Sequence, residues 1–322
     1  MKVIDRQLPE LADSPGLNPH FMSLNGILIS VVIPFVTISA YHSFTKRVPE
    51  RQSIRTTLAA SRQSILPYES LSVLLLLHNE TAEEKRVVAS WCSFLHIGET
   101  TPAGTKWRGY RADNEPVTKP CIPTAKQIAP GETKKMLTHI DYESPSGEHI
   151  FARPGKYLLQ GGTMDNGTFV SDEIEINVRA PEGIDARAYE FLRTSYLHHF
   201  FGEYTIQKYG YDQKTVQDLE KFITDFDGSE YSYLARMGLA FMWLRGVEGK
   251  QDQSSAVELL SQIADRASDS LSSAAEYRLG VILYNPQDKM ALAQANNRFQ
   301  RALAGTPTPY FRYLAEEALR PR

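Results

Sequence analysis

Residues 273–307 read SAAEYRLGVILYNPQDKMALAQANNRFQRALAGTP, and the placement of their apolar side chains decides how the C-terminal third folds. Counting 40 residues back from Phe299 reaches Leu259, and 40 more reaches Leu219. The same step joins Leu303, Ile263 and Ile223, then Ala315, Ala275 and Ala235, then Leu319, Leu279 and Leu239. Four apolar columns in one register mark an internal repeat. Within a copy, Val216, Leu219, Ile223 and Phe226 lie at the spacing of one helical face. A helical unit of this kind cannot bury that face alone, so it stacks on its own copies, and the stack leaves an extended surface suited to binding rather than chemistry.

Working outward, the helical period predicts helices near 185–202, 215–226, 231–245, 254–267, 272–285, 290–304 and 308–319. Thr215 with Asp218 and Ser273 with Glu276 read as capping boxes, and Thr308 before Pro309 as an N-cap and first-turn pair. Leu279-Gly280, then Ala295, Phe299, Ala302 and Leu303, then Pro307, resemble the tetratricopeptide repeat, with about three residues added between its helices. Ala240, Trp243, Ala256, Leu260 and Ile263 give a looser copy, and Leu283 stands where the family carries tyrosine. Ala240 and Gly280 are small because two helices approach closely there. The resemblance implies a helical-hairpin solenoid over 181–322 whose inner helices turn Met237, Phe241, Tyr277, Val281 and Tyr284 toward a groove for a peptide or protein. Packing between repeats accounts for the same aromatic residues. The last helix is expected to cap the stack.

Upstream, from about Ser64 to Val178, the period is two. Leu71, Val73, Leu75 and Leu77 form one face of a strand whose other face, with Leu74 and Leu76, is also apolar, as in a strand covered on both sides. Further strands are expected over Val87 to Ile97 around Trp91, over Thr133 to Tyr142, and over Tyr157 to Gly161 and Glu173 to Val178. The last two flank Asp165-Asn166-Gly167, a strong hairpin signal. Gly161-Gly162 reads as close packing or a bulge. The turns Asn79-Glu80-Thr81, Pro130-Gly131-Glu132 and Pro154-Gly155-Lys156-Tyr157 resemble those of bacterial immunoglobulin-like sandwiches, including the group related to intracellular proteinase inhibitors. The resemblance implies an antiparallel sandwich over 50–180 with Tyr157 as a tyrosine corner and Leu159 where antibody domains carry a cysteine. It also implies a second role, inhibition or regulation of a protease through residues 99–127. That stretch loses its periodicity and is expected to be a long loop. Its Trp107 and Tyr110 either form a contact patch with Arg108 and Arg111, since such residues populate binding hot spots, or fold back over a sheet edge.

The 322 residues carry 35 Lys+Arg against 38 Asp+Glu, a net charge of −3. No basic face results, which argues against a nucleic-acid partner. Residues 1–45 hold an uncharged apolar run, 27–40. As a helix it covers about 21 Å, short of the roughly 30 Å hydrocarbon core, and it matches a signal peptide better than a span. With its flanks it becomes long enough for a membrane tether. The expected location is therefore extracytoplasmic, secreted, periplasmic or membrane-anchored, the alternative being a cytoplasmic protein that buries the segment. In an oxidising compartment Cys92 and Cys121 are candidates for a disulfide, with two reduced thiols as the other reading. Asn79-Glu80-Thr81 and Asn166-Gly167-Thr168 fit the glycosylation pattern.

Chemistry finds little purchase. His199 and Glu203, beside His198, share a helical face at i and i+4, but a zinc site needs three or four ligands. Cys92 and His96 on one strand lie roughly 13 Å apart, out of nucleophile–base reach. No G-x-S-x-G, phosphate-binding glycine loop or H-E-x-x-H occurs, and no carboxylate pair stands in an apolar setting. The sequence thus predicts a non-enzymatic interaction or scaffold protein, with no catalytic, cofactor or metal site.

Overall fold

The computed structural model describes residues 53–89, 95–109, 124–140, 149–165, 168–201, 211–267, 269–305 and 307–320. They belong to one compact unit spanning Pro49–Arg322. The apolar run 27–40, Cys92, Cys121, Tyr110, Asn166 and Glu203 lie outside the described residues. The protein is a mixed α and β chain in which strands come first and helices follow.

The strands are β1 (Ile54–Ala60), β2 (Ser64–Ile65), β3 (Leu71–Asn79), β4 (Lys85–Ala89), β5 (Leu95–Thr101), β6 (Gly104–Gly109), β7 (Thr124–Ile128), β8 (Thr133–Ile140), β9 (Gly155–Asp165) and β10 (Thr168–Val178). An antiparallel sheet runs β1-β3-β8; a larger one runs β2-β10-β9-β4-β7, with β5 on β9 and β6 on β5. Only β2, against β10, pairs in parallel among the described strands. Period-two alternation explains why the sheets face each other. Val73, Leu75 and Leu77 of β3 share one buried cluster with Val87, Ile97, Tyr157, Leu159 and Ile176 of the larger sheet. The Leu58 N–H donates to Asp172 Oδ2 at 2.8 Å, a polar tie between β1 and β10. Gly161 lies under Leu58, whose methyl would meet an added Cβ at 2.7 Å, so the Gly161-Gly162 pair marks close packing.

The strand expected over Val87 to Ile97 is two strands, because β4 pairs with β7 while β5 pairs with β6 and β9. The stretch 99–127 is likewise not one long loop: the end of β5, β6 and β7 occupy most of its described part. Glycines and a run of threonines hid that hairpin from a reading based on hydrophobic alternation. β9 and β10 pair down to Asp165↔Thr168, a two-residue connection where Asn166-Gly167 predicts one.

Among the described residues seven α-helices follow: α1 (Gly183–Leu192), then after a short 3-10 turn (Tyr196–Phe200) α2 (Gln213–Asp225), α3 (Glu230–Arg245), α4 (Gln253–Arg266), α5 (Asp269–Leu283), α6 (Lys289–Ala304) and α7 (Pro309–Leu319). From α2 to α7 each helix packs on the next. Two 40-residue columns fall on α2, α4 and α6 and two on α3, α5 and α7. Ala235, Ala275 and Ala315 are fully buried. The helix expected over 185–202 stops at Leu192, where the amides of Arg193, Thr194 and Ser195 turn back onto the preceding carbonyls. The capping boxes are also displaced. Asp212, not Thr215, caps α2 by accepting the Thr215 N–H at 2.8 Å, and Ser273 sits inside α5. Thr308 does precede α7 as N-cap, but its hydroxyl donates to the Ser61 carbonyl at 3.0 Å instead of accepting a helix amide.

β3 is covered on both faces. Its Leu74 joins Ala59 of β1, Ala274 of α5 and Tyr310, Phe311 and Leu314 of α7 in a second cluster, with Leu76, Met237 and Tyr277 against it. The strand region and the helices therefore share a wall.

Candidate functional site

The residues that the repeat reading turns toward a partner are scattered by burial. Phe241 is 6% exposed within the helical core, with the Arg278 guanidinium 5.4 Å over its ring. Met237 packs on both that core and the β3-facing cluster. Tyr277 lies 5.8 Å from Phe299 and 5.9 Å from Phe311, ring to ring. Tyr284 is half-buried among the ends of α5, α6 and α7. The structure thus brings Met237 and Tyr277 together, but under the chain's own β3 and α7. Val281 alone of the five is exposed, at 47%, and across the following turn Met290 is 74% exposed. Trp107, half-buried on β6, pairs with Gly98, where an added Cβ would come to 3.0 Å from its indole. It covers an outer strand pair of the larger sheet.

A cluster the sequence reading passed over lies where the strands meet the helices. Arg62, between β1 and β2, sends one guanidinium nitrogen to both carboxylate oxygens of Glu69, at 2.6 and 2.7 Å. Its other terminal nitrogen binds Glu230, the first residue of α3, which Arg179 also holds at 2.6 Å. Asp185 of α1 accepts the Glu230 N–H at 2.7 Å, and the Tyr231 hydroxyl donates to the Pro67 carbonyl at 3.0 Å. Local chemistry fixes these groups: the 66–69 turn closes through the Glu69 N–H on the Leu66 carbonyl, with Tyr68 at φ +66°, an uncommon conformation for a large side chain. The Leu66 N–H in turn donates to Glu69 at 3.2 Å.

One guanidinium between a buried carboxylate, Glu69, and a part-buried one, Glu230, sets their acidities apart. Burial pushes the Glu69 carboxyl up to about 7, against the pull of Arg62. Burial acts on Glu230 in the same sense, but Arg62 and Arg179 outweigh it and hold it below the usual range. Burial also raises Asp185. Glu69 is therefore the member that takes a proton first. The signal was present in the sequence as a lone Glu in Leu-Pro-Tyr-Glu-Ser-Leu, residues 66–71, and a lone Arg after Ala59-Ala60-Ser61.

Beside this cluster Tyr68 stacks on His198, centroids 4.7 Å apart, and meets His149 edge-on at 5.7 Å. His198 and His199 lie 4.4 Å apart. Burial first, then His198 and His199, lower the His149 pKa to about 3, and its Nδ1 accepts the Phe151 N–H at 3.2 Å. His149 is therefore neutral, and it is buried. Among the described residues no three His, Cys, Asp or Glu are placed to hold a metal ion, and no helix is long and apolar enough to cross a membrane.

Asn79, the first residue of a glycosylation pattern, is fully buried. Its amide donates to the carbonyls of Glu83 (2.8 Å) and Ile128 (2.9 Å), and its oxygen accepts from the Thr81 N–H (3.0 Å) and hydroxyl (2.8 Å). All its capacity is spent on turn closure, so it is no glycan acceptor in the folded protein.

No protein-family model matches the chain, and no curated protein matches it. Among solved structures it has low similarity to the Pseudomonas fluorescens alkylpurine DNA glycosylase AlkC, at 12% identity and a TM-score of 0.26 over 40% of this chain and 31% of that one. A Listeria innocua β-glucosidase matches at 14% identity and a TM-score of 0.25, over 39% and 16%. The Bacillus subtilis sporulation control protein Spo0M matches at 10% identity and 0.27, over 44% and 56%. The chain thus spans less than two thirds of each, and likeness this low carries no argument about fold or function.

Proposed function

We propose that the protein is a non-enzymatic interaction or scaffold protein, held outside the cytoplasm, in which an immunoglobulin-like sandwich is braced against tetratricopeptide-like helix pairs that bind a peptide or protein. The observation that carries this reading is the contrast within one repeat. Its 40-residue columns are buried or half-buried, while Val281 at the end of α5 and Met290 at the start of α6 stand exposed at 47% and 74%, flanking half-buried Tyr284. Single exposed apolar side chains are ordinary on a folded surface; these two support the reading because they stand on either side of the turn that joins the two helices of one repeat, the turn that carries Tyr284. The Tyr157 hydroxyl supports the sandwich assignment, since it donates to the Arg153 carbonyl four residues upstream at 3.1 Å, the bond that defines a tyrosine corner. So does the Gly131 N–H, which donates to the Asn79 carbonyl at 3.0 Å and so ties two of the family-like turns together. The acid–base groups with shifted pKa favour a structural role over catalysis. Glu69 has both oxygens on Arg62 and His149 has its Nδ1 on a backbone amide.

Affinity capture with the full chain, compared with the double variant Val281→Glu and Met290→Glu, tests the reading. Exposed substitutions of this kind change stability by about 0.5 kcal/mol or less, so the melting temperature should hold while a partner enriched by the wild type disappears. Identical captured sets for the two proteins would overturn it.

A further inference from the structure

We infer that α7 is a releasable plug over α5, α6 and the outer face of β1 and β3, and that the occupant it gives way to is an amphipathic helical segment with an aromatic pair, a Leu-Ala pair one turn later and a carboxylate beyond them. The inference deepens the interaction reading and rests on it in one respect, that a partner uses this face. What fills the face now describes what it accepts. Tyr310, Phe311 and Leu314 are at most 8% exposed and share a cluster with Ala59, Leu74 and Ala274, backed by Met237 and Tyr277. Ala315 is buried with Ala295, Phe299 and Ala302. At the rim, Lys135 of β8 holds Glu317 at 2.7 Å, both side chains part-exposed.

The entry to α7 is the under-satisfied place in this packing. Thr308 stands at the N-cap, yet its hydroxyl is drawn away to the Ser61 carbonyl and caps no amide. Ser273 Oγ, 2.7 Å from where a Cβ on Gly305 would stand, is buried with no hydrogen-bond partner. Swinging the helix out exchanges the Thr308 bond to Ser61 for a helix cap and admits water to Ser273, so opening recovers one polar interaction that the closed form forgoes. Pro309 at the first helical position keeps the start of the segment preset for helix on either side of the exchange. Two of the polar ties that break are the Thr308–Ser61 bond and the Lys135–Glu317 pair, the latter exposed and therefore weak.

Native-state hydrogen exchange on the full chain decides the matter. Amides of α7 should exchange at least about tenfold faster than those of α3 and α5, through an opening that depends little on denaturant. A fluorescein-labelled synthetic peptide of residues 308–320 should bind the full chain, and Glu317→Lys, which sets like charges against Lys135, should raise both the opening and the peptide uptake by up to about fivefold. Exchange of α7 only at the rate of α3 and α5, or peptide binding unchanged by the charge reversal, would overturn the plug. The interaction reading fails separately: if α7 opens and takes up the peptide while Val281→Glu and Met290→Glu change nothing in affinity capture, the plug stands and the exposed-rim partner does not.

Discussion

Glu69 is pulled two ways, by a burial that favours its neutral form and by Arg62, which favours its charge. With a folded pKa of about 7 against about 4.3 in an unfolded chain, the folded state holds more protons between those values, so its contribution to stability is present below about pH 4.3 and is lost as pH rises toward 7. His149 works in the opposite direction. Its folded pKa of about 3 lies below the unfolded value of about 6.5, so its contribution is full above pH 6.5 and fades as pH falls toward 3. Across about pH 4.5 to 6.5 the two slopes oppose each other. In Glu69→Gln only the histidine slope of this pair remains. Chemical denaturation at several pH values should show the difference in stability, wild type minus variant, falling by about 1.4 kcal/mol for each pH unit from 4.5 to 7; a flat difference would refute the assignment. Asn79 gives a second check at this scale. Asn79→Ala takes a buried amide donor away from the Ile128 carbonyl, at a cost of about 1–3 kcal/mol, and, for the wild type, mass spectrometry after expression in a glycosylating host should find no sugar at Asn79. The sequence pattern Asn79-Glu80-Thr81 was legible as a turn and equally as a glycan site. Only the burial of the amide separates the two, because both need the same three residues.

Among the elements, helix positions were the most legible part of the chain, because the 40-residue columns mark the side of each helix that must be buried. Ends were less so: Thr215 and Asp212 both suit a cap, and the choice depends on which side chain reaches the Thr215 amide. The β5–β6 hairpin was invisible because Gly98, Gly104 and Gly109 break alternation for reasons of packing and turning. Gly98 is where Trp107 lies, and Gly104, at φ +116°, turns the chain. The helical glycines carry a prediction of their own. In isolation Gly→Ala in a helix gains up to about 1 kcal/mol, yet at Gly280 the new Cβ meets the Phe299 ring at 2.5 Å, and at Gly238 it meets the Phe200 carbonyl oxygen at 1.9 Å. A ring can turn aside more readily than a backbone carbonyl. Urea titration should therefore show Gly280→Ala losing about 1–3 kcal/mol, the ordinary cost of overpacking, and Gly238→Ala losing more. The reverse order would mean that the 3-10 turn yields more easily than the core.

At the level of the whole molecule, the two-sided apolar character of β3 announced in sequence that something covers its second face, but not that α7 does so, since Leu74 and Phe311 are separated by most of the chain. The charged cluster was unreadable for the same reason: Arg62, Glu69, Arg179 and Glu230 become one network only after both regions have folded. Replacing Arg62 with Met leaves Glu69 buried without its cation and Glu230 with Arg179 alone, a loss of about 3–5 kcal/mol. Circular dichroism and tryptophan fluorescence, which reads Trp107 among the strands and Trp243 in α3, should report one coincident transition in the wild type. Separate transitions would show that the shared wall does not couple the two regions. That wall has a consequence during synthesis. A polypeptide grows from its amino end, so the sheet bearing Leu74 and Leu76 is finished while the segment that will shield it is still unwritten. Until translation delivers Tyr310 and Phe311, a nascent molecule shows water an oily strip that invites chaperones or a neighbouring copy, and a message cut short before the codons for those two residues leaves that strip bare for good.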